Sequence, residues 1–313
     1  MRAIRQHELG PADVLRLEEI PAPEPAPGQL RIKVAAAGVH VVDTSIRAGR
    51  VPPTVPPPEL PMTPGREVAG LVDAVGEGVA EDWLGQSVVA HLGSLNGGYA
   101  EQALAEAGRA YRVPAGLDAA TAVAAIGTGR TAAGVLRLAD LRQEDTVAVT
   151  AAAGGIGLIA LQAGRNAGAR TIALAGGPEK TALALRFGAD AAIDYRQPGW
   201  ARQLPPLTVV LDAVGGETGM TLYRALLPGG RLVRYGWAPG AENVYDDPER
   251  RLVEVLGPFM TEHLVEFERD SLAEAADGSR VPYVGSVFPL DRAADAHRAV
   301  EARATTGKVV LVP

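Results

Sequence analysis

Apolar positions along the chain follow one pattern before about residue 117 and another pattern after it. The first 117 residues hold short runs rich in Val, Ile and Ala, such as 30–36, which are separated by Gly and Pro and lack helical periodicity. Over 118–257, nearly continuous apolar runs, including 146–151 and 171–175, alternate with helical segments. Such strands are buried on both faces, as in a parallel sheet covered by helices. This region is therefore predicted to be a doubly wound Rossmann domain.

The last part of the chain contains too few elements to form a domain of its own. Helical patterns over 262–276 and 290–302 alternate with strand patterns over 281–287 and 308–312. We therefore predict an α/β chain in which 1–117 and 258–313 form one β-rich domain, with the nucleotide-binding domain of 118–257 inserted into it. The strand over 231–235 is predicted at the edge of the parallel sheet, where an exposed edge invites pairing with a twofold mate.

Composition and charge exclude several classes of protein. The chain has 313 residues, is 47% hydrophobic and carries a net charge of −7 without a block of like charges. This balance does not provide a surface for nucleic acid or for an anionic membrane. The longest apolar stretches are shorter than the roughly 18–20 residues that cross a bilayer. No apolar signal segment follows the basic residues at the N-terminus, so the sequence predicts a cytoplasmic location.

The chain contains no cysteine, which excludes disulfides, thiolate nucleophiles and cysteine-ligated zinc. The five histidines lie far apart and lack metal-ligand spacing. The sequence therefore predicts no metal site.

A strand, a turn of small residues and the start of a helix follow one another over 147–158. The turn has the G-x-G-x-x-G spacing, with Ala152 in the first glycine position and Gly154 and Gly157 in the others. Gly154 lets the backbone approach a pyrophosphate, and Gly157 lets the helix pack closely against the strand. The helix then directs its free N–H groups and its positive dipole end at the phosphates. The predicted pyrophosphate site consists of Ala152, Ala153, Gly154, Gly155, Ile156 and Gly157.

The residues that follow the next strand indicate whether the cofactor is NAD(H) or NADP(H). An NAD site usually carries an acid about 20 residues after the first glycine, where it binds the ribose hydroxyls. Here the strand ends in Gly176 and Gly177 without an acid, and Lys180 follows at the start of a helix. The neighbouring Glu179 carries a negative charge and reduces the positive field of Lys180. The alternative interpretation is that Lys180 is a solvated lysine in the first turn of the helix and does not bind the cofactor. The absence of a carboxylate and the nearby ammonium favour NADP(H).

Several motifs carry a resemblance to a known family. They are AGVHVVDTSIRAG over 37–49, PGREVAG over 64–70, VGEGV over 75–79 and EARATTGK over 301–308. With the phosphate turn, they make the chain resemble the zinc-independent quinone oxidoreductase branch of the medium-chain dehydrogenase/reductases over nearly its whole length. The resemblance implies a GroES-like catalytic domain, an inserted Rossmann domain, NADPH-dependent reduction of a small molecule and a homodimer.

The resemblance also implies where the cofactor lies in the cleft. The nicotinamide is expected near Thr131, Val214, Tyr235, Gly236 and Trp237. The 2′-phosphate is expected between Lys180, Tyr195 and Arg303. Zinc-dependent relatives carry a Cys near position 40 and a His in a Pro-Gly-His-Glu motif, where this chain has Arg66. Because Arg is neither deprotonated nor a zinc ligand, metal-assisted alcohol oxidation is not expected.

The substrate side departs from the family pattern. Related quinone reductases carry Asn at the position of His40 and Tyr at the positions of Ser45 and, commonly, Val51. Without those phenols, His40 is the titratable side chain that remains for acid–base work, because an imidazole titrates near neutral pH. The alternative is that His40 only forms hydrogen bonds to the nicotinamide ribose or carboxamide. Asp43, Arg47 and Arg66 are expected to form structural salt bridges.

Three functions follow from these features. The leading hypothesis is hydride transfer from NADPH to a quinone, an enone or an enoyl thioester. The alternatives are an enoyl or enone reductase that tailors a biosynthetic intermediate, and an NADPH-binding protein with little turnover.

Overall fold

The computed structural model of the chain describes residues 1–50, 58–93, 96–236 and 243–313. The chain divides into two compact units. The first unit comprises Met1–Gly127 and Tyr283–Pro313, and the second comprises Thr128–Pro282. None of the helices in the described ranges has the length and the apolar composition needed to cross a membrane.

The strands in the described residues, in chain order, are β1 (Arg2–Gln6), β2 (Leu15–Glu19), β3 (Gln29–Val39), β4 (Glu67–Val75), β5 (Ser87–His91), β6 (Gln102–Glu106), β7 (Ala110–Arg112), β8 (Thr146–Val149), β9 (Arg170–Ala175), β10 (Ala191–Asp194), β11 (Leu207–Asp212), β12 (Leu226–Arg234), β13 (Arg251–Glu254), β14 (Val284–Pro289) and β15 (Lys308–Val312). The α-helices are α1 (Val41–Arg47), α2 (Ala119–Ala124), α3 (Arg130–Ala139), α4 (Gly155–Asn166), α5 (Pro178–Arg186), α6 (Gly216–Ala225), α7 (Pro258–Glu262), α8 (Leu264–Asp277) and α9 (Ala293–Glu301). A π-helical turn, Ala125–Gly129, joins α2 to α3.

The limits of the two units lie elsewhere than the predicted domain limits at residues 117 and 257. Residues 118–127 belong to the first unit because α2 packs against β3 and β4. Residues 258–282 belong to the second unit because α8 packs against α3. Helix packing, which a hydrophobic pattern along the chain does not specify, therefore decides which segments each unit contains.

The first unit is built on a seven-stranded sheet made from both ends of the chain. Its order is β14-β15-β3-β4-β5-β7, and β6 pairs with β3 off this path. Strand β3 alternates as expected for one buried face, since Leu30 and Ile32 are fully buried while Lys33 is exposed. Because β15 lies beside β3 and β3 lies beside β4, residues distant in the sequence become neighbours in this sheet.

The second unit contains a six-stranded sheet in which every pair of strands is parallel, in the order β10-β9-β8-β11-β12-β13. The chain runs outward from β8 to β10 and then, in the opposite direction, outward from β11 to β13. The topological switch point therefore lies between β8 and β11, where open α/β sheets bind ligands at the carboxyl ends of the strands. The predicted α/β class with a Rossmann-type sheet is confirmed.

The prediction that the strand over 231–235 lies at the sheet edge is wrong. Strand β12 contains Arg231–Arg234 and is paired with β11 on one side and with β13 on the other. No pattern in the sequence indicates β13, because this strand is four residues long and has charged residues, Arg251 and Glu254, at its two ends. Among the described residues, the outermost strand on this side is β13.

Candidate active site

The phosphate turn connects β8 to α4 in a conformation that brings the strand and the helix close together. Ala151 has φ 45° in the left-handed region, and its carbonyl accepts a hydrogen bond of 2.8 Å from the Gly154 N–H. A Cβ atom on Gly157 would lie 2.6 Å from the Ala151 oxygen and 2.7 Å from Cα of Ala152. Only glycine therefore fits at position 157, because the obstructing atoms belong to the backbone.

The beginning of α4 presents backbone donors to the space beyond the turn. The first N–H groups of an α-helix have no partner within the helix, and they carry the positive end of its dipole. The six residues of the predicted pyrophosphate site form this turn and the first residues of the helix. The turn therefore fits a pyrophosphate, although its role in binding stays a prediction.

The second turn of interest follows β9. The carboxylate of Asp194 accepts hydrogen bonds from the N–H groups of Gly177 at 2.9 Å and Arg196 at 3.0 Å. These backbone hydrogen bonds lower the pKa of Asp194, so the carboxylate stays charged and holds the two turns together. A Cβ atom on Gly176 would lie 2.8 Å from both the Tyr195 hydroxyl and Nε of Arg196. Tyr195 and Arg196 therefore cover the turn that the predicted 2′-phosphate site includes.

Arg196 is a further candidate for this site, which no sequence motif predicts. Its guanidinium is exposed and lies 3.3 Å from the position of a Cβ on Gly177. Lys180 lies in the first turn of α5, which begins directly after Gly177. Arg303 follows α9 in the other compact unit and has φ 53°. The structure thus brings Tyr195 to the Gly176 turn and adds a cation beside it. The only sequence signal for that cation was its position directly after Tyr195.

The ends of β8, β11 and β12 are tied together by Asp212, which is fully buried. Its Oδ1 accepts hydrogen bonds of 3.0 Å from the Thr150 hydroxyl and 3.0 Å from the Val214 N–H. Its backbone carbonyl accepts a hydrogen bond of 2.9 Å from the N–H of Tyr235. Burial, with the nearby Asp212 charge, raises the pKa of Tyr235, whose phenol therefore stays neutral.

Among the residues predicted to surround the nicotinamide, three meet at this end of the sheet. Val214 and Tyr235 are bound to Asp212, and a Cβ on Gly236 would lie 2.8 Å from the Ala213 carbonyl oxygen. Thr131 lies in α3, which precedes these strands in the sequence. Trp237 lies outside the described residues.

In the first unit, His40 forms a triangle with two buried charges, Glu67 and Lys308. Nε2 of His40 lies 2.6 Å from Oε1 of Glu67 and 2.9 Å from Nζ of Lys308, and Nζ lies 2.7 Å from the same carboxylate oxygen. Glu67 is fully buried, Lys308 is 3% exposed and the His40 side chain is 20% exposed. We refer to these three side chains as the His40 triad. Cβ atoms on Gly38 or Gly127 would collide with the Glu67 carboxylate, so both glycines make room for it.

A second buried network lies behind α1 and contains Asp43. Its Oδ2 accepts hydrogen bonds from the His40 backbone N–H at 2.8 Å and from the Tyr99 hydroxyl at 3.2 Å. Tyr99 also contacts Nε2 of His297 at 3.1 Å, and Nδ1 of His297 lies 3.4 Å from Nη1 of Arg47. Burial lowers the pKa of His297 to about 4, so this ring is neutral at physiological pH.

The charges predicted to be structural do form ion pairs. Arg47 binds Glu301 at 2.7 Å, and Nε of Arg66 lies 3.5 Å from Oδ1 of Asp43. Ser45 lies in α1 with its hydroxyl 3.5 Å from the Val41 carbonyl, and Val51 lies outside the described residues.

The described side chains of the first unit form a poor ligand set for zinc at the position where zinc-dependent relatives carry the ion. The described ranges contain no cluster of three His, Cys, Asp or Glu side chains with the geometry of a metal site. His40 and Glu67 already contact the Lys308 ammonium, which would repel a divalent cation. Arg66 stands where the histidine ligand is expected and cannot bind zinc.

Comparison with known proteins gives matches over the whole chain. Residues 26–115 match the family model described as alcohol dehydrogenase GroES-like domain, and 187–311 match the model described as zinc-binding dehydrogenase. The rat quinone oxidoreductase is 30% identical, with 100% of this chain and 98% of the relative covered. A 2-haloacrylate reductase from a Burkholderia species is 32% identical, with 98% and 97% covered.

A solved structure agrees with the architecture. The Escherichia coli quinone oxidoreductase complexed with NADPH has a TM-score of 0.85 and 28% identity, and all of both chains is covered. The chain combines a GroES-like part with an inserted parallel sheet and a glycine turn. This combination defines the class of the medium-chain dehydrogenase/reductases. Within that superfamily, the chain belongs to the quinone oxidoreductase-like branch.

Proposed function

We propose that this protein is an NADPH-dependent oxidoreductase that transfers a hydride to a quinone or to another conjugated carbonyl compound, without zinc. NADPH, when bound, supplies the hydride. The observation that carries the proposal is the pair of turns at the carboxyl end of the parallel sheet. One turn requires glycine at position 157. The other turn follows β9, a strand without an acidic residue, and places Tyr195 and Arg196 beside Gly176. The similarity to quinone oxidoreductases supports an oxidoreductase, and the NADPH complex of the E. coli protein supports the cofactor.

The residues of this chain have separate tasks in the proposal. The phosphate turn binds the pyrophosphate through its backbone N–H groups. Tyr195, Lys180 and Arg196 bind the 2′-phosphate, because cations and a phenol favour a dianion that a carboxylate would repel. Arg303 is proposed for the same phosphate on the resemblance alone. Val214, Tyr235, Gly236, Thr131 and Trp237 are proposed for the nicotinamide.

Zinc independence is supported by the chemistry of the side chains that would have to bind the ion. The chain has no cysteine, and the ammonium of Lys308 lies against both His40 and Glu67. The chain matches a family model described as zinc-binding dehydrogenase. Its candidate zinc ligands, His40 and Glu67, nevertheless contact the ammonium of Lys308.

The decisive experiment measures oxidation of NADPH and NADH by the purified protein, first with a panel of quinones and then with a panel of enones. The proposal expects turnover with NADPH, weaker turnover with NADH, and rates that do not change after incubation with a strong chelator. Binding of NADPH without turnover on either panel would contradict it and would favour the alternative of an NADPH-binding protein.

A second candidate function is reduction of the carbon–carbon double bond of an enone or enoyl compound. The relative named 2-haloacrylate reductase favours it, because its name identifies a conjugated alkene as the substrate of that protein. The homodimer and the cytoplasmic location stay predictions of the sequence analysis.

A further inference from the structure

The His40 triad contains one ring nitrogen with two partners. Nε2 lies 2.6 Å from a carboxylate oxygen of Glu67 and 2.9 Å from the ammonium nitrogen of Lys308. A protonated Nε2 donates to the carboxylate, whereas an unprotonated Nε2 accepts from the ammonium, and it cannot do both. The two tautomers of the neutral ring are therefore each stabilised by one of the two partners.

Burial distinguishes His40 from the other two members. Glu67 and Lys308 already pair at 2.7 Å, and both are almost completely removed from solvent. Burying such a pair costs desolvation free energy that the pairing often fails to repay, so the pair alone adds little stability. The imidazole is the most exposed member, with 20% of its side chain accessible. The ring is therefore the member of the triad that joins the buried pair to the exterior.

We propose that His40, Lys308 and Glu67 together deliver a proton to the substrate, and that the substrate class is a carbon–carbon double bond conjugated to a carbonyl group. This inference rests on the proposed function. A quinone takes its protons on oxygen, which water supplies readily. The α-carbon of a conjugated alkene needs a proton delivered at carbon, for which a positioned acid is an advantage.

The two carbons of the double bond receive a hydride and a proton in turn. The β-carbon gains the hydride of NADPH, which becomes NADP⁺, and the electrons of the double bond move toward the carbonyl oxygen. The α-carbon then takes the proton from Nδ1 of His40, while Nε2 receives a proton from Lys308. The ring now donates Nε2–H to Glu67. Water next protonates Nδ1, the Nε2 proton returns to Lys308, and the starting state is restored.

The remaining charges near His40 are occupied by other partners. Asp43 binds the backbone N–H of His40 rather than its ring, and the guanidinium of Arg66 lies against Asp43. Gly38 and Gly127 bring backbone rather than charge to the carboxylate of Glu67. Within the described part of the chain, Lys308 and Glu67 are thus the charged groups that contact the His40 ring. His40 is the candidate catalytic residue, and the other two are positioning residues that act through it.

Two conservative variants separate proton delivery from a purely structural role. His40→Asn keeps an amide that can donate to Glu67 but has no proton to give up. Lys308→Arg keeps a cation beside Glu67, but a guanidinium is not deprotonated in proteins. His7→Asn is the control, because His7 is an exposed histidine of the same unit that pairs with Glu18.

The first measurement compares an α-substituted enone with a quinone as acceptors for each variant. We expect the ratio of enone to quinone turnover to fall about 100-fold in His40→Asn and Lys308→Arg, and to stay unchanged in His7→Asn. In deuterium oxide, the wild-type product should carry deuterium on one face of the α-carbon, and both triad variants should lose that facial preference. An equal loss with both acceptors would assign the triad a structural role and overturn the inference.

The second measurement does not depend on turnover. NMR of the His40 ring nitrogens in the protein without cofactor should show a mixture of the two neutral tautomers. Glu67→Gln weakens the acceptor and Lys308→Met removes the donor, so the two variants should shift that mixture in different directions. NADPH affinity and the unfolding temperature report whether each variant folds. A single tautomer that neither variant changes would overturn the inference. Wild-type turnover with quinones alone would also overturn it and leave the proposed function standing, whereas no NADPH oxidation with either acceptor would contradict both.

Discussion

The hydroxyl of Tyr99 lies 3.1 Å from Nε2 of His297, and both side chains are completely buried. The guanidinium of Arg47 donates to Nδ1, the other ring nitrogen of His297, so Nδ1 is the acceptor. Nε2–H therefore donates to the Tyr99 hydroxyl, which in turn donates to Asp43. The contacts thus specify one neutral tautomer. Protonation of this ring would place a positive charge in the core beside the Arg47 guanidinium.

This arrangement predicts a loss of stability in mild acid. The pKa of His297 is about 4 in the folded protein and about 6.5 in an unfolded chain. Between these values, the unfolded state binds a proton that the folded state does not, so the free energy of unfolding decreases as pH falls from 6.5 to 4. The size of the effect is about 3 kcal/mol.

Denaturant unfolding of His297→Gln and wild type at several pH values tests this expectation. The variant should be less stable than wild type at pH 7, and the difference should narrow toward pH 4. His7→Gln, at an exposed site, should run parallel to wild type. A constant difference between His297→Gln and wild type across this range would refute the assignment.

Arg196 is expected to contribute to the preference for NADPH over NADH. Loss of a charge-assisted hydrogen bond to the 2′-phosphate in Arg196→Gln should weaken NADPH binding about 10-fold. NADH binding should change little, because NADH lacks that phosphate. Fluorescence titrations with both cofactors provide the measurement, and Arg202→Gln, an exposed arginine of the same unit, is the matched control. Equal weakening for the two cofactors would remove Arg196 from the phosphate site.

Gly157→Ala should disturb the phosphate turn. The new Cβ would lie 2.6 Å from the carbonyl oxygen of Ala151, and the backbone must shift to accept it. Such overpacking costs about 1–3 kcal/mol, and a displaced turn should also bind NADPH less tightly. The control is Gly108→Ala, since no atom lies within 4 Å of a Cβ at that position. Gly157→Ala should have a lower unfolding temperature and a weaker affinity for NADPH than Gly108→Ala. Equal unfolding temperatures and affinities would argue against a close approach at Gly157.

Glu268→Gln should be strongly destabilising although it lies in a helix outside the proposed site. Glu268 is completely buried and binds Arg130 at 2.8 Å, so the substitution leaves a poorly compensated buried guanidinium. Breaking such a pair costs about 3–5 kcal/mol. The matched control is Glu266→Gln on the same helix, where the pair with Arg137 is half exposed and contributes about 0–1 kcal/mol. Urea unfolding of the two variants should give clearly separated midpoints.

The sequence predicted local structure well where the hydrophobic period was long. The helix predicted over 156–167 is α4, Gly155–Asn166, and the strand predicted over 171–175 is β9, Arg170–Ala175. Strand β13 was missed because four residues with charged ends show no clear alternation. The limits of the two units depend on helix packing, as with α2 against β3, which no local pattern specifies.

The parts of the candidate site that consist of consecutive residues were predictable from the sequence, and the parts that depend on the fold were not. The phosphate turn is a local motif, so its residues could be read from consecutive positions. The His40 triad is not local, because Lys308 reaches Glu67 only through the pairing of β15 with β3 and of β3 with β4. Arg196 was missed because its approach to Gly176 depends on the Asp194 hydrogen bonds that join two turns.

Strand β15 has a consequence for the order in which the protein is assembled during translation. All strands of the second unit lie within Thr128–Pro282, so its parallel sheet can form on the ribosome before the remaining residues emerge. The first unit has to wait for β15, which supplies Lys308 to the carboxylate of Glu67. Until then the nascent chain holds β3 with its edge at Ala37–Val39 unpaired and Glu67 without its cation.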